Sequence, residues 1–211
     1  MRVLVACEYS GRVREAFRKL GHDAWSCDLL PAEDNSPYHY QCDVREILGN
    51  GWDLLIAHPD CTYLCSSGLH WNSRGAMVDG RPRTELTEEA LDFVRYLMAA
   101  PIPRIAIENP IGCIGTRIRK ATQIIQPYEY GEDASKATCL WLKGLPPLRP
   151  TRRVSGRIVT HNGKKVERWG NQTDSGQNRL PPSADRWKQR ARTYQGWAEA
   201  FADQWGTIFQ K

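Results

Sequence analysis

Apolar and polar positions along residues 1–145 alternate between two periods. Short apolar runs predict buried β-strands at 2–6, 22–28, 38–42, 52–57, 104–108, 124–130 and 138–142. Between them, apolar residues at helical spacing predict helices at 13–20, 44–48, 88–99 and, more weakly, 111–123. Strands that alternate with helices are typical of a parallel sheet covered by helices on both faces. The pattern therefore predicts a doubly wound, Rossmann-like α/β fold.

Two further segments carry structural predictions. Residues 69–86 are polar and glycine-rich with no apolar period, which predicts a long mobile loop, and Thr87 is the expected N-cap of the helix that follows. Residues 183–206 are expected to form one helix whose apolar stripe belongs to the core. That stripe comprises Tyr194, Trp197, Phe201 and Trp205.

Composition excludes several classes of protein. The chain of 211 residues has a mean hydropathy of −0.57, and its apolar runs fall far short of the roughly 20 residues that a membrane-spanning helix needs. Its first residues enter a strand directly, which leaves no room for a signal peptide. The seven cysteines include no Cys-x-x-Cys pair, which argues against a zinc site or a disulfide framework. We expect a cytoplasmic monomer with no membrane and no metal partner.

Positive charge is concentrated near the C-terminus. The net charge is +5, but residues 149–192 contain twelve Lys or Arg and three acidic residues, a net charge of +9, and the rest of the chain carries −4. For any single residue a solvated basic face is the alternative. A segment this uneven, also rich in Gly, Asn, Gln and Trp, indicates a surface that binds a polyanion.

A cysteine follows the predicted central strand directly. The apolar run ends at Pro59, Cys61 comes next but one, and a Ser-Ser-Gly turn at 66–68 leads the chain away. Cys61 should therefore lie at the carboxyl edge of the sheet, where open α/β folds bind their ligands. An isolated free cysteine is otherwise most often a buried small hydrophobic residue.

Other polar residues follow predicted strands at the same edge. Residues 7–11, Cys-Glu-Tyr-Ser-Gly, form a turn before a helix N-terminus, where free N–H groups favour a ligand. Asp28 ends the second strand, where an acid commonly holds ribose hydroxyls; a loop or capping aspartate is the alternative. Asp43 can N-cap the next helix, accept a hydrogen bond from adenine, or do both. Glu108 ends a buried strand, where a carboxylate is costly unless it has a task.

These strand-end segments resemble motifs of the DNA cytosine-5 methyltransferases. That family carries Gly-Pro-Pro-Cys-Gln, then Phe-Ser and a glycine seven residues past the cysteine; this chain has His-Pro-Asp-Cys-Thr at 58–62, Leu-Cys at 64–65 and Gly68. The family's Glu-Asn-Val resembles Glu-Asn-Pro at 108–110, and its Phe-x-Gly-x-Gly-Gly turn resembles 7–11. Its Gln-x-Arg-x-Arg corresponds to 134–138. The resemblance covers residues 2–145 and is to small phage and prophage members that lack a separate target-recognition domain.

The resemblance implies a class I methyltransferase fold with a small basic C-terminal insertion, S-adenosyl-L-methionine as cofactor, and methylation at C5 of a cytosine flipped out of double-stranded DNA. A Cys61 thiolate would add to C6, which requires that nearby positive charge or N–H groups lower its pKa, and Glu108 would hold N3 and the exocyclic amine, supported by Asn109. The implied catalytic residues are Cys61, Glu108, Asn109 and Lys136. The implied cofactor-binding residues are Cys7, Glu8, Ser10, Gly11, Asp28, Leu29, Asp43, Val44, His58 and Pro59. The expected DNA contacts are Ser67, Trp71, Arg81, Arg83, Arg152, Arg153, Lys164 and Lys165.

The expected organisation has three parts: a cofactor-binding catalytic core at 1–145, a basic DNA-contacting and target-recognition segment at 146–190, and a C-terminal helix at 191–211 that packs back on the core. Because this basic segment is short, its specificity should cover about two to four base pairs. Two alternatives stay open. The chain could be a Cys-nucleophile enzyme that modifies a pyrimidine in RNA or in a free nucleotide, or an inactive protein that binds S-adenosylmethionine or DNA.

Overall fold

The computed structural model describes residues 1–183 and 185–209. Its strands are β1 (Arg2–Ala6), β2 (Asp23–Asp28), β3 (His39–Gln41), β4 (Leu54–Ala57), β5 (Met77–Val78), β6 (Arg81–Pro82), β7 (Arg104–Pro110), β8 (Gln123–Ile125), β9 (Thr138–Lys143), β10 (Arg157–His161) and β11 (Lys164–Arg168). Its helices are α1 (Arg12–Lys19), α2 (Ser66–Ser73), α3 (Arg83–Met98), α4 (Ile114–Arg117), α5 (Arg186–Ala191) and α6 (Gln195–Gly206), with 3-10 turns at Val44–Glu46, Pro127–Glu129 and Thr207–Phe209.

Seven strands form one central sheet in the order β3-β2-β1-β4-β7-β9-β8. The first five of these are mutually parallel, and β9 runs antiparallel between β7 and β8. The predicted α/β fold with a mostly parallel central sheet is therefore confirmed.

Helices cover both faces of the sheet because its central strands are apolar on both sides. On β1, Val3 and Val5 belong to the core that includes residues of α1 and α6, whereas Leu4 and Ala6 belong to the core that includes residues of α3. The predicted stripe residues Trp197, Phe201 and Trp205 are buried in the first of these cores, and Tyr194 packs against it.

The strand order reverses beside β1. The sheet extends through β2 and β3 on one side and through β4 and β7 on the other. The carboxyl ends of β1 and β4 thus flank a topological switch point, the usual place for a ligand in this class of fold. Here the His58 N–H donates to the Ala6 carbonyl at 3.0 Å, which joins the two loops that leave these strands.

The prediction of a long loop at 69–86 is wrong. Helix α2, the β5–β6 hairpin and the first turn of α3 occupy this segment. Asp79 and Gly80 have φ of 48° and 77°, as a two-residue hairpin turn requires. Thr87 lies inside α3 and is not its N-cap; its hydroxyl donates to the Arg83 carbonyl at 3.1 Å.

Other boundaries also differ from the predictions, and the predicted helix at 44–48 is a 3-10 turn at Val44–Glu46. Within 111–123 only α4 is helical, and within 124–130 strand β8 gives way to a 3-10 turn. The predicted helix 183–206 is divided, because α5 ends at Ala191 and α6 begins at Gln195. Residues 184, 210 and 211, which fall in the predicted 183–206 helix and 191–211 segment, lie outside the described residues.

The basic segment contains a separate two-stranded sheet, the β10–β11 hairpin. Asn162 and Gly163 form its turn, with φ of 51° and 73°. Just beyond β11, the ring of Trp169 stacks on Tyr128 with centroids 3.9 Å apart, which ties the hairpin to the main body.

None of the helices in residues 1–183 and 185–209 is long and apolar enough to cross a membrane. Among those same residues, no group of His, Cys, Asp and Glu side chains is arranged to hold a metal ion.

Candidate functional site at the carboxyl edge of the sheet

Two buried ionisable side chains pair at adjacent strand ends. Ala57 of β4 lies opposite Ile107 of β7, so the next residues, His58 and Glu108, are neighbours. His58 Nδ1 lies 2.9 Å from Glu108 Oε2, and the two side chains are only 8% and 12% exposed. Burial raises the pKa of Glu108, but the hydrogen bond from His58 and the charge of Lys136 outweigh burial and hold this pKa below its ordinary value. Glu108 is therefore ionised at neutral pH and can only accept hydrogen bonds.

Three buried polar atoms of this cluster have no hydrogen-bond partner among the described residues: Glu108 Oε1, Asn109 Oδ1 and His58 Nε2. Asn109 Nδ2 donates to the Pro59 carbonyl at 2.7 Å, which fixes the orientation of the amide. Asn109 thus holds the neighbouring loop, and the expectation that it supports Glu108 stays a prediction. An unsatisfied buried acceptor costs about 1–3 kcal/mol, and more when it is charged. Such a cluster is suited to receive hydrogen-bond donors from a ligand.

The loop that carries Cys61 is fixed from within and from α3. Asp60 accepts a hydrogen bond from the Thr62 N–H at 3.0 Å, which shapes the turn around Cys61. Arg83 is buried, and its Nη2 donates to the Thr62 carbonyl at 2.6 Å. Arg83 was expected to contact DNA, but at this position its guanidinium group stabilises the Cys61 loop.

The same loop is joined to the segment after β7. The Ser66 N–H donates to the Ile111 carbonyl, and the Cys113 N–H donates to the Leu64 carbonyl, both at 2.9 Å. Gly112 lies so close to Leu64 that any β-carbon there would collide with the Leu64 carbonyl. These contacts hold the Cys61 loop and the Glu108 strand end in one rigid arrangement.

Cys61 and Cys65 are interacting thiols of the same loop. The interaction with Cys65 and burial raise the pKa of Cys61, and Lys136 opposes them only in part. The pKa of Cys65 falls to about 5, because Cys61, the Ser67 hydroxyl at 3.1 Å and the Gly68 N–H stabilise its thiolate against burial. The expectation of a lowered pKa at Cys61 is wrong for the resting site.

The turn after β1 is stabilised by the side chain of Glu8, which lies within it. Glu8 is buried and accepts hydrogen bonds from the Val13 N–H at 2.7 Å and the Arg14 N–H at 3.3 Å, at the start of α1. Burial raises the pKa of Glu8, and the His58 charge and these N–H groups oppose that rise. Gly11, with φ of 69°, begins the helix. The Glu8 carboxylate thus occupies the anion-binding position that a helix N-terminus offers.

Three carboxylates surround the end of β1. Burial and then the charges of Asp28, Asp43 and Asp60 raise the pKa of Cys7 to about 12. Cys7 itself has φ of 58°, a left-handed conformation that is uncommon outside glycine and is concentrated at functional sites. This end of the switch point is therefore acidic and suited to a cationic ligand.

The other residues predicted to bind the cofactor differ in their exposure to solvent. Leu29 is 72% exposed beside Asp28, whereas Val44 is buried in the core. Asp43 accepts a hydrogen bond from the Arg45 N–H at 2.9 Å, so its predicted N-cap role is confirmed. Ser10 is half-buried, 3.5 Å from Glu8.

The residues predicted to contact DNA lie on several surfaces. Trp71 is 47% exposed on α2, with the Arg74 guanidinium 5.3 Å from its ring, and Ser67 is exposed one turn earlier. Arg81 is exposed but forms ion pairs with Glu85 and Glu89.

In the basic segment, Lys164 and Lys165 are exposed at the start of β11. Arg153 forms an ion pair with Glu167 at 2.6 Å, and Arg152 donates to the Gly131 carbonyl at 3.1 Å. Both arginines are therefore partly committed to the protein's own structure, while the two lysines extend from the hairpin.

Helix α5 forms a basic rim of the site that the sequence analysis did not identify. Lys136 Nζ lies 3.4 Å from the Arg190 carbonyl, and the Tyr9 hydroxyl donates to the Lys188 carbonyl at 2.7 Å. The charge of Arg190 also lowers the pKa of Cys65. The concentration of charge at 149–192 was the available signal, but its proximity to Cys65 arises only from the fold.

No protein-family model and no curated protein sequence matches the chain. Among solved structures, the chain is similar to a crystal structure of a proposed DNA modification methyltransferase encoded within an E. coli prophage. The two share 16% sequence identity, and the match covers 67% of this chain and 46% of that chain with a TM-score of 0.43. This chain thus spans less than half the length of that protein. A likeness at this level does not by itself assign a function.

Proposed function

We propose that this protein is an S-adenosyl-L-methionine-dependent DNA cytosine-5 methyltransferase with a class I methyltransferase fold. The observation that carries the proposal is the ionised, buried carboxylate of Glu108. Its Oε1 has no partner among the described residues, and it lies at a strand end next to a rigid cysteine loop.

An ionised carboxylate at this position selects cytosine. Cytosine presents an exocyclic amine that donates to a carboxylate, whereas thymine presents a carbonyl at the same place, which an acceptor repels. Glu108 Oε1 would accept from the amine. Because it is buried, it is out of reach of a base within a duplex, so the target base would have to be flipped out.

Cys61 is the proposed nucleophile because it follows the strand-ending Pro59 at the carboxyl end of β4. The charge of Lys136 acts on both Cys61 and Glu108, which supports the proposal that these groups work together. The Cys61 thiol would pass its proton to the Cys65 thiolate, and the resulting Cys61 thiolate would add to C6 of the base. Lys136 would stabilise the negative charge of the Cys61 thiolate.

The residues at the β1 end fit S-adenosyl-L-methionine. This cofactor carries a sulfonium cation and no phosphate. It therefore suits an acidic pocket near Asp28 and Asp43, and a helix N-terminus already closed by Glu8 would disfavour a phosphate-containing cofactor. Cys7, Asp28 and the exposed Leu29 would line its site. When bound, it would supply the methyl group.

Asp28→Ala should weaken S-adenosylmethionine binding about ten-fold or more, because a hydrogen bond to a charged group is worth about 1.5–3 kcal/mol. Calorimetric titration with the cofactor measures this. Asp28 is a cleaner test than Asp43, whose removal would also uncap a turn. Asp23→Ala is the matched control, since Asp23 begins the same strand at the opposite edge of the sheet. Equal affinities for wild type and Asp28→Ala would place the cofactor elsewhere.

The exposed lysines of the β10–β11 hairpin are proposed to contact DNA phosphates. Each phosphate contact contributes about 0.9 to the log–log salt slope of binding, so Lys164→Ala with Lys165→Ala should reduce the slope by about 1.8. Fluorescence anisotropy of a labelled duplex at several salt concentrations measures it. Lys19→Ala with Lys120→Ala removes equal charge from exposed positions at the opposite edge of the sheet. If both double variants shift the slope equally, the hairpin is not a DNA contact.

The proposed function is tested by transfer of a labelled methyl group from S-adenosylmethionine to duplex DNA, single-stranded DNA, RNA and free cytidine nucleotides. We expect duplex DNA to accept label, recovered as 5-methylcytosine. Label in RNA or in a nucleotide alone would support a pyrimidine-modifying enzyme of another substrate class. Cofactor binding without transfer to any acceptor would support an inactive binding protein.

A further inference from the structure

We infer that His58 is a positioning residue that holds a proton for Glu108. This proton would let the ionised carboxylate protonate N3 of the target cytosine. This inference rests on the proposed function, because it concerns the ring that Glu108 would hold. The sequence analysis predicts that His58 binds the cofactor. In the structure it pairs instead with Glu108.

The His58 ring is held in place. Its backbone N–H is bonded to the Ala6 carbonyl, and Nδ1 lies 2.9 Å from Glu108 Oε2. Its side chain is 8% exposed, and Nε2 is buried without a partner among the described residues. The ring is therefore placed to exchange a proton with Glu108 through Nδ1, and Nε2 makes no competing hydrogen bond among the described residues.

Charged and titratable groups face the pair from each neighbouring strand end. Glu8, after β1, interacts electrostatically with His58. Lys136, before β9, helps to lower the pKa of Glu108. Burial and then the charge of Glu108 raise the pKa of Cys139 on β9. Of these groups, the His58 imidazole is in direct contact with Glu108 and has a ring nitrogen that can carry an exchangeable proton, so it is the place where this site can store a proton.

The proposed reaction requires a group near Glu108 that holds a proton. As a thiolate adds to C6, electron density moves onto N3, which gains a proton. Glu108, with its lowered pKa, has no proton to give. In the proposed step, the Nδ1 proton of the imidazolium passes to Glu108 Oε2 and the carboxyl group then gives a proton to N3, so His58 ends neutral, Glu108 ends ionised and N3 ends protonated. Expulsion of the Cys61 thiolate reverses this transfer, and the proton returns to His58.

The test separates the effect of the hydrogen bond between His58 and Glu108 from the effect of the proton that His58 holds. In His58→Asn, the side-chain amide can still donate to Glu108 Oε2 but cannot ionise. The wild-type rate of adduct formation with a 5-fluorocytosine duplex should therefore include a pH-dependent step, the loss of the imidazole proton at higher pH, that His58→Asn does not have. His58→Asn should form adduct about 100-fold more slowly, the low end for loss of a proton donor, and should lose this pH dependence.

Cofactor affinity and thermal unfolding of His58→Asn should match wild type, which excludes a merely structural effect. A pH profile in His58→Asn that parallels the wild-type profile would overturn the inference while leaving the proposed function intact. Absence of adduct in wild type would overturn the proposed function as well. A second measurement needs no His58 variant: in ¹⁵N-histidine spectra we expect a downfield Nδ1 proton resonance in wild type that Glu108→Gln abolishes. Its persistence in Glu108→Gln would also contradict the inference.

Discussion

Cys61→Ser is expected to abolish covalent capture of a duplex that carries 5-fluorocytosine at the target position, whereas Cys65→Ser retains it at a reduced rate. A serine hydroxyl is a far weaker nucleophile than a thiolate, and loss of a nucleophile commonly lowers rate by more than about 10⁴-fold. Cys65→Ser removes only the group that would accept the Cys61 proton. The rate of adduct formation on denaturing gels measures both effects.

Cys42→Ser is the matched control, because Cys42 is a half-buried thiol beside β3 and away from this pair. The opposite pattern, with capture that survives Cys61→Ser but is lost in Cys65→Ser, would transfer the nucleophile's role to Cys65. This is a demanding test, because the surroundings raise the pKa of Cys61 and lower the pKa of Cys65.

Glu108→Gln is expected to lower single-turnover methylation by about 10²–10⁴-fold, the usual contribution of a group that handles a proton in the transition state. The substitution keeps the volume of the side chain, so fold and cofactor affinity should be retained. A glutamine amide can also donate a hydrogen bond, so discrimination against uracil at the target position should weaken.

Glu199→Gln, at an exposed position of α6, is the control for loss of one carboxylate. Rapid-quench measurement of methyl transfer in one turnover gives the rate. A Glu108→Gln rate within a few-fold of the Glu199→Gln rate would remove Glu108 from the chemistry.

The parallel sheet was predictable because its strands are apolar on both faces and therefore stand out as short runs, as Leu54–Ala57 does. The hairpins were missed although each carries a clear signal. Asp79-Gly80 and Asn162-Gly163 are the residue pairs that two-residue hairpin turns favour. The start of α3 was also missed, because Thr87 was interpreted as a cap when its hydroxyl in fact bonds within the helix.

Side-chain partners at the site were less predictable than the positions of the residues that carry them. Strand order determines that residues after β4 and β7 meet, and the sequence placed Cys61 and Glu108 at those ends. It could not reveal that His58 bonds Glu108, because the two are fifty residues apart and meet only through strand register. Arg83 was predicted to contact DNA from its place in a polar segment, and the sequence could not reveal that the fold buries it against the Thr62 carbonyl.

The central claim is that Cys61 attacks a cytosine held by Glu108. The most direct measurement is mass spectrometry of the wild-type protein after incubation with S-adenosylmethionine and a 5-fluorocytosine duplex, with fragment spectra that separate Cys61 from Cys65. We predict a single adduct on Cys61 that contains both the methyl group and the fluorinated base. An adduct on Cys65, or cofactor consumption with no protein–DNA adduct, would contradict this account.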